Sequence, residues 1–115
     1  MTPPNPLTPL SFHILLSLVD APAHGYGVLK VIEERTDGAE APSTGALYLA
    51  LQRLEREGLI EPATDPPPDA DARRRYWALT ESGRRAARAE VQRMASLLDD
   101  AAVRALRAGG EGAGV

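Results

Sequence analysis

The chain contains no cysteine, and its 115 residues include only two histidines and one tryptophan. The absence of cysteine excludes a disulfide framework, a thiolate nucleophile and a thiolate metal site. No apolar run approaches the length of a membrane span, and the N-terminus lacks the charged-then-apolar pattern of a signal peptide. We therefore expect one domain of a cytoplasmic protein with no membrane partner. Lys30 is the single lysine beside many arginines, a bias typical of GC-rich bacterial genomes.

Acidic residues outnumber basic ones, which gives a formal net charge of −3. Six arginines nevertheless lie between residues 73 and 88, where Glu81 is the single acid. A phosphate group responds to charges within about one Debye length, roughly 8 Å at physiological salt. The net charge therefore does not exclude a nucleic-acid partner, because this basic cluster can meet a phosphate backbone locally.

Residues 43–58 carry the pattern around which the chain is organised. Ser43 is a good N-cap, since its oxygen can accept from the free amides of a first helical turn. Leucines recur at i, i+4 and i+7 in one apolar stripe, and Gly58 is placed to end the helix as a left-handed cap. An outer face that begins with a glycine and an unshielded leucine indicates close approach by a partner, which we take to be a DNA groove. That face carries Gly45, Leu49, Gln52 and Arg56, with Tyr48 and Arg53 on its flanks.

Two shorter helices are predicted before this one. Thr8 and Pro9 are typical of the N-cap and first position of a helix, and apolar residues cover nearly the whole circumference of that helix. Such a helix is buried on more than one side, so we expect the face with Leu10 and Ile14 to contact a partner chain. The alternative is that the helix is enclosed within its own domain. The following segments are predicted as a turn at residues 20–25, a helix at residues 26–36 and a connection at residues 37–42.

Two extended segments follow, at residues 60–64 and 74–80. In the second segment Trp77 and Leu79 fall on one face, which favours a core position for Trp77. Prolines and aspartates at residues 65–72 make a stiff polar tip between the two segments. Three helices followed by a hairpin predict a mainly α fold with a small β-hairpin, arranged as a winged helix-turn-helix.

The last predicted helix covers residues 81–107 and is capped by Thr80. At about 40 Å this helix is too long for a domain of this size to cover. Its apolar residues are spaced by 4, 3, 4, 3 and 4, a heptad seam that indicates dimerisation. The seam consists of Ala87, Val91, Met94, Leu98, Ala101 and Ala105. Residues 7–80 are then the DNA-binding domain, and residues 1–6 and 108–115 are predicted as flexible termini.

Three blocks of this sequence resemble the PadR-like family of transcriptional regulators, in its short subfamily with a single C-terminal helix. The first block, His24-Gly25-Tyr26, is similar to the start of the family's second helix. Residues 43–60 are similar to its recognition helix, and residues 74–83 to its second wing strand and the helix after it. The three blocks occur in the family's order, and the resemblance covers roughly residues 7–107.

The resemblance implies a homodimeric winged helix-turn-helix repressor of transcription. The third helix would enter the major groove, the wing would follow the DNA backbone, and the last helix would pair with that of a second chain. Some members of the family release DNA when a small aromatic or drug-like molecule binds near the dimer interface. Here the wing tip has prolines and aspartates where the family has glycine and basic residues, and Gly27 and Trp77 replace an acid and a tyrosine. We therefore expect only the base of the wing to bind DNA.

The predicted contacts with double-stranded DNA lie on the third helix and at the base of the wing. They are Ser43, Thr44, Gly45, Tyr48, Leu49, Gln52, Arg53, Arg73, Arg74 and Arg75. A winged helix that binds only protein remains the alternative. A small-molecule effector also stays open, although a seam of alanines and Met94 lacks the aromatic walls that planar multidrug compounds stack on.

An enzyme is not expected. No Ser-His-Asp arrangement is suggested, and the carboxylates fall on predicted solvent faces. Gly25-Tyr-Gly27 lacks the third glycine and the preceding strand of a dinucleotide-binding loop. With two histidines and no thiolate, we predict neither a metal site nor a cofactor.

Overall fold

The computed structural model describes residues 7–71 and 73–112. Five helices and three short strands form this part of the chain. In order they are α1 (Pro9–Ser17), β1 (Ala23–His24), α2 (Gly25–Thr36), α3 (Thr44–Arg56), β2 (Ile60–Pro62), β3 (Tyr76–Leu79), α4 (Glu81–Leu97) and α5 (Ala101–Gly112). The predicted mainly α fold with a small β-hairpin is confirmed, and the helices and the hairpin follow one another in the predicted order.

Side-chain caps fix where the helices begin. The hydroxyls of Thr8, Ser43 and Thr80 accept hydrogen bonds from amides three residues ahead, at 3.1, 3.1 and 2.9 Å. These caps were predicted, because serine and threonine before an apolar-periodic run satisfy the free amides of the first turn. Gly58 lies after α3 with a φ of 77°, in the left-handed region predicted for it.

The core lies between α1, α2 and α3 and is closed by β2, β3 and the start of α4. Helix α1 is enclosed within its own domain, since Ile14 and Leu15 have no exposed surface and Phe12 and Leu18 are buried. The prediction that Ile14 contacts a partner chain is therefore wrong, because its side chain belongs to the core of its own chain. Leu10 is half-buried against that core.

A three-stranded antiparallel sheet has β3 at its centre, with β1 and β2 on either side. The predicted hairpin is present, and its register pairs Ile60 with Leu79 and Pro62 with Trp77. Strand β1 corrects the prediction of a simple turn at residues 20–25, since Ala23 pairs with Trp77. Two residues are too few to give a periodic signal, and their partners are more than fifty positions away. Trp77 is 3% exposed, which confirms its predicted core position.

The C-terminal segment is two helices, which corrects the single helix predicted for residues 81–107. Helix α4 ends at Leu97 and α5 begins at Ala101. Asp100 accepts hydrogen bonds from the amides of Ala102 and Val103 at 2.8 and 3.3 Å, so it caps a new helix where the seam predicted continuity. Helix α5 continues to Gly112, so residues 108–112 are helical and were wrongly predicted as a loose tail; the predicted flexibility of residues 1–6 lies outside the described residues.

The apolar stripe of α4 changes its environment along the helix. Its first part packs against the domain: Gly83 and Ala87 are buried, and so is Glu90, next to Arg93. The prediction that Ala87 contacts a partner is therefore wrong, and Glu90 contradicts the prediction that the acids face solvent. Beyond Glu90 the same stripe is exposed, because the helix extends past the domain. Its exposed part consists of Val91, Met94, Leu97 and the C-cap residue Leu98, which are 43–54% exposed.

Candidate nucleic-acid interface

Helix α3 presents the face that the sequence predicted. Leu49 is 69% exposed, and Gly45 and Gln52 are also exposed. Among the described residues, and apart from its chain neighbours and the backbone of its own helix, no atom lies within 4 Å of the position that a Cβ on Gly45 would take. Leu47 and Leu51 on the opposite side are buried in the core and hold the helix against the domain. The N-terminal half of the helix therefore offers a convex surface with little side-chain bulk, with Ser43 and Thr44 exposed at its start.

Tyr48 connects α3 to the start of α2. A Cβ on Gly25 would lie 2.6 Å from the Tyr48 hydroxyl and 2.8 Å from its Cζ, so the ring rests directly against the glycine. Any larger residue at position 25 would push the ring away. The tyrosine is 44% exposed, and its hydroxyl lies beside the N-terminus of α2. The sequence placed Tyr48 on the flank of α3 correctly but gave no sign of this contact with Gly25.

A groove of about 450 Å³ lies between α3, the start of α2 and the base of the wing. Its walls are aromatic and basic, a combination that suits a phosphate group and the sugar next to it. It is lined by His24, Tyr26, Tyr48, Gln52, Arg73, Arg74, Arg75 and Trp77. The structure thus brings Tyr48, Gln52 and the three predicted wing arginines together, and it adds two residues that sequence reasoning missed, His24 and Tyr26.

His24 is both a helix cap and part of the groove wall. Its Nδ1 accepts a hydrogen bond from the Gly27 amide at 3.0 Å, which assigns the proton of the neutral ring to Nε2. Arg74 Nη1 lies 3.0 and 3.1 Å from the two ring nitrogens, and these nearly equal distances place it across the ring face. Tyr76 meets the same ring edge-on at 5.3 Å, and Tyr26 lies parallel to it at 6.4 Å.

Burial lowers the pKa of His24, and the charge of Arg74 lowers it further, although Asp71 opposes both effects. Protonation would remove the acceptor that caps α2 and would add a positive charge beside Arg74. The cap was not recognised in the sequence because histidine is not among the usual N-cap residues. The available signal was its place directly before Gly25-Tyr26, at the start of an apolar-periodic segment.

The protein should lose stability as the pH falls below about 6.5. In the unfolded chain this histidine binds a proton near its ordinary pKa of 6.5, whereas in the folded protein its pKa is lower. Between these two pKa values the unfolded state binds more protons, so a fall in pH favours unfolding. Urea denaturation of the wild type and of His24→Asn at about pH 7.5 and about pH 5.5 would measure this. Asparagine keeps an acceptor at the cap but does not titrate, and His13 is common to both proteins. Equal acid losses in the two proteins would show that His24 is not the group responsible.

The predicted basic contacts already have partners within the chain. Arg73 and Arg74 pair with Asp71, with shortest N–O distances of 3.3 and 3.9 Å. Arg75 pairs with Glu55 of α3 at 3.3 Å and lies 4.3 Å from the centre of the Trp77 ring, so it joins the wing to α3. On the far flank of α3, Arg53 donates to the Ser11 hydroxyl at 3.0 Å. Each of these arginines remains exposed and keeps donors for a further partner.

Two other classes of site are absent from residues 7–71 and 73–112. Histidines and acids in these ranges form no group that could hold a metal ion. Within the same ranges, no helix combines the length and the apolar character needed to cross a membrane.

Comparison with known proteins identifies the sequence family. A sequence profile of the transcriptional regulator PadR-like family matches residues 14–89. Among curated proteins, the chain is 36% identical over 84 residues to an uncharacterised 37.1 kDa protein in transposon TN4556 of Streptomyces fradiae. That match covers 73% of this chain but 22% of the relative, so the chain spans about a fifth of the relative's length.

Solved structures share the fold. The complex structure of hsRosR-S1 matches with a TM-score of 0.65 at 28% identity, over 85% of this chain and 82% of that chain. A PadR family transcription regulator from hypervirulent Clostridium difficile matches with a TM-score of 0.63 at 24% identity, over 78% and 94%. A PadR-like transcriptional regulator from Bacillus cereus matches with a TM-score of 0.65 at 22% identity, over 76% of this chain and 82% of that chain. The predicted winged helix-turn-helix fold is therefore confirmed.

Proposed function

The chain belongs to the PadR-like family of transcriptional regulators, which are not enzymes, and we propose that it binds double-stranded DNA sequence-specifically as a homodimeric repressor. The observation that carries this proposal is the exposed N-terminal face of α3 beside a groove lined by arginines and tyrosines. A convex helix with a basic groove on its flank fits a major groove bordered by a phosphate backbone. The proposal also agrees with the predicted DNA contacts.

The proposed division of labour on α3 follows from side-chain chemistry. The amides and hydroxyls at Ser43 and Thr44 bind a phosphate at a helix N-terminus, where the helix dipole favours negative charge. Gly45 lets the backbone approach closely. Leu49 can contact only a thymine methyl or the shape of the groove, whereas Gln52 can hydrogen-bond to a base edge. Base readout therefore rests on two exposed side chains of the helix.

The wing contributes backbone contacts at its base. Tyr48 and Arg74 line the groove from its two sides and can contact one phosphate together. The tip carries Asp65 and Asp69, which are exposed and would be repelled by phosphates, so the tip stays away from the duplex. The wing's contribution is then mainly electrostatic and independent of sequence.

A second chain is proposed to cover the exposed stripe of α4. The stripe continues a surface that is buried at the start of the same helix, and its side chains project beyond the domain. The exposed Ala101 and Ala105 of α5 and the half-buried Leu10 of α1 lie outside the buried core and complete the proposed interface. Two reading helices related by a two-fold axis predict a pseudo-palindromic operator with half-sites about 34 Å apart.

Two substitutions should separate backbone binding from base reading. Arg74→Ala removes a phosphate contact, so binding should weaken equally on all sequences, and the salt dependence should fall by about one unit of slope. Leu49→Ala removes a base contact and should change the order of preference among operator variants, with little effect on that slope. Fluorescence anisotropy on a panel of operator variants at several salt concentrations measures both quantities.

The titrations and a mobility shift test two levels of the proposal, the division of contacts and DNA binding itself. Identical behaviour of the two variants across the panel would contradict the division between backbone and base contacts. A mobility shift with the DNA upstream of the chain's own gene decides the broader question, because a winged helix that binds only protein would give no salt-dependent shift.

A further inference from the structure

Every arginine at the base of the wing lies beside a carboxylate of its own chain. Asp71 forms ion pairs with Arg73 and Arg74, and Glu55 forms one with Arg75, with N–O distances between 3.3 and 3.9 Å. These carboxylates take positions at the arginines that phosphate oxygens would take in a complex with DNA, since both are anionic oxygen acceptors of similar geometry. The basic cluster seen in the sequence is thus partly neutralised before any DNA arrives.

We propose that Asp71 is an internal competitor of the DNA phosphate, and that binding exchanges its carboxylate for a phosphate at Arg73 and Arg74. This inference rests on the proposed DNA-binding function. It assigns to Asp71 a role in restraining binding to DNA of any sequence, so that stable binding depends on the base contacts of α3.

The geometry favours an exchange in which the acid stays and the arginines move. Two hydrogen bonds that do not involve an arginine side chain hold Asp71 in place. Its amide donates to the Tyr76 hydroxyl at 3.2 Å, and its carboxylate accepts from the Arg73 amide at 2.9 Å. The side chains of Arg73 and Arg74 are 90% and 46% exposed and can rotate away. Ion pairs in such exposed positions are weak and re-form readily, so a phosphate can displace the carboxylate.

The exchange weakens binding to every DNA by a similar factor, but the consequence differs between the operator and other DNA. Binding to arbitrary sequences relies almost entirely on phosphate contacts, so a competitor at two arginines weakens it directly. Binding to the operator adds base contacts that Asp71 does not touch. Asp71 therefore lowers affinity for all DNA alike. The operator stays bound through its base contacts, whereas DNA that lacks those contacts is released more readily.

Asp71→Asn tests the inference with little disturbance of the turn. The asparagine oxygen can still accept from the Arg73 amide, so the substitution removes the charge and keeps the local fold. Affinity for both operator and random-sequence duplexes should rise about fivefold near 0.1 M salt, and the salt dependence should steepen by about one unit of slope. Asp69→Asn is the matched control, because Asp69 lies at the same tip, is exposed and forms no ion pair among the described residues.

The outcomes separate this inference from the proposed function. If Asp71→Asn and Asp69→Asn change affinity and slope equally, Asp71 acts only through the net charge of the wing and the inference is overturned. If the wild type binds no DNA at all, the proposed function itself fails. Asp71→Ser provides a second neutral residue able to accept from the Arg73 amide, and it should reproduce the gain; a gain confined to asparagine would also overturn the inference.

Discussion

Gly83→Ala is expected to destabilise the protein by at least about 2 kcal/mol. A Cβ at this position would lie 2.0 Å from the carbonyl oxygen of Leu59 and 2.8 Å from Cδ1 of Leu79. The carbonyl cannot move aside easily, because it accepts a hydrogen bond from the Thr80 amide at 3.2 Å. Overpacking against fixed backbone costs about 3 kcal/mol, and the better helix propensity of alanine offsets about 1 kcal/mol of this. Urea denaturation followed by circular dichroism would measure the change.

Gly45→Ala is the matched control for this prediction. Both glycines lie in the first turns of α-helices, but no atom from another part of the described chain lies within 4 Å of a Cβ at Gly45. Here alanine should leave stability unchanged or raise it by up to about 1 kcal/mol. A loss of stability as large as that of Gly83→Ala would show that the effect comes from helix starts in general and not from the contact between α4 and the wing.

The sequence predicted the features of the fold that depend on local chemistry. Thr8, Ser43 and Thr80 start helices because a hydroxyl before an apolar-periodic run satisfies free amides, whatever the rest of the chain does. Gly58 ends α3 for the equally local reason that glycine accepts a positive φ. The exposed face of α3 followed from the position of its buried leucines. Such signals are contained in a few neighbouring residues and need no tertiary information.

The predictions that failed concern features that depend on distant parts of the chain. The sequence predicted the apolar stripe of α4. Such a stripe looks the same in sequence whether its own domain or a second chain covers it, so Ala87 was wrongly assigned to an interface between chains. Ile14 was misplaced for the same reason. The pairing of β1 with β3 and the contact of Gly25 with Tyr48 join segments that carry no sign of each other in sequence. Asp71 and Glu55 likewise gave no indication that they neutralise the wing arginines.

The part of α4 beyond Glu90 is where the proposed dimer can be tested most directly. Val91, Met94 and Leu98 lie one above another at helical spacing, each about half exposed in the single chain. On the surface of a lone chain these side chains would form a contiguous apolar patch, which is typical of a protein–protein interface. A second copy of the same helix is self-complementary to such a stripe, as a two-fold interface requires.

Leu98→Glu should convert the protein from a dimer to a monomer at micromolar concentration. Two-fold symmetry would bury two introduced carboxylates, one from each chain, in an apolar interface, a cost of several kcal/mol. Light scattering should give twice the chain mass for the wild type and the chain mass for the variant. Met94→Glu should act in the same way, whereas Ala89→Glu, exposed on the opposite face of α4, should leave the dimer intact. A wild-type protein that is monomeric at this concentration would refute the dimer, and a dimeric Leu98→Glu variant would place its interface elsewhere.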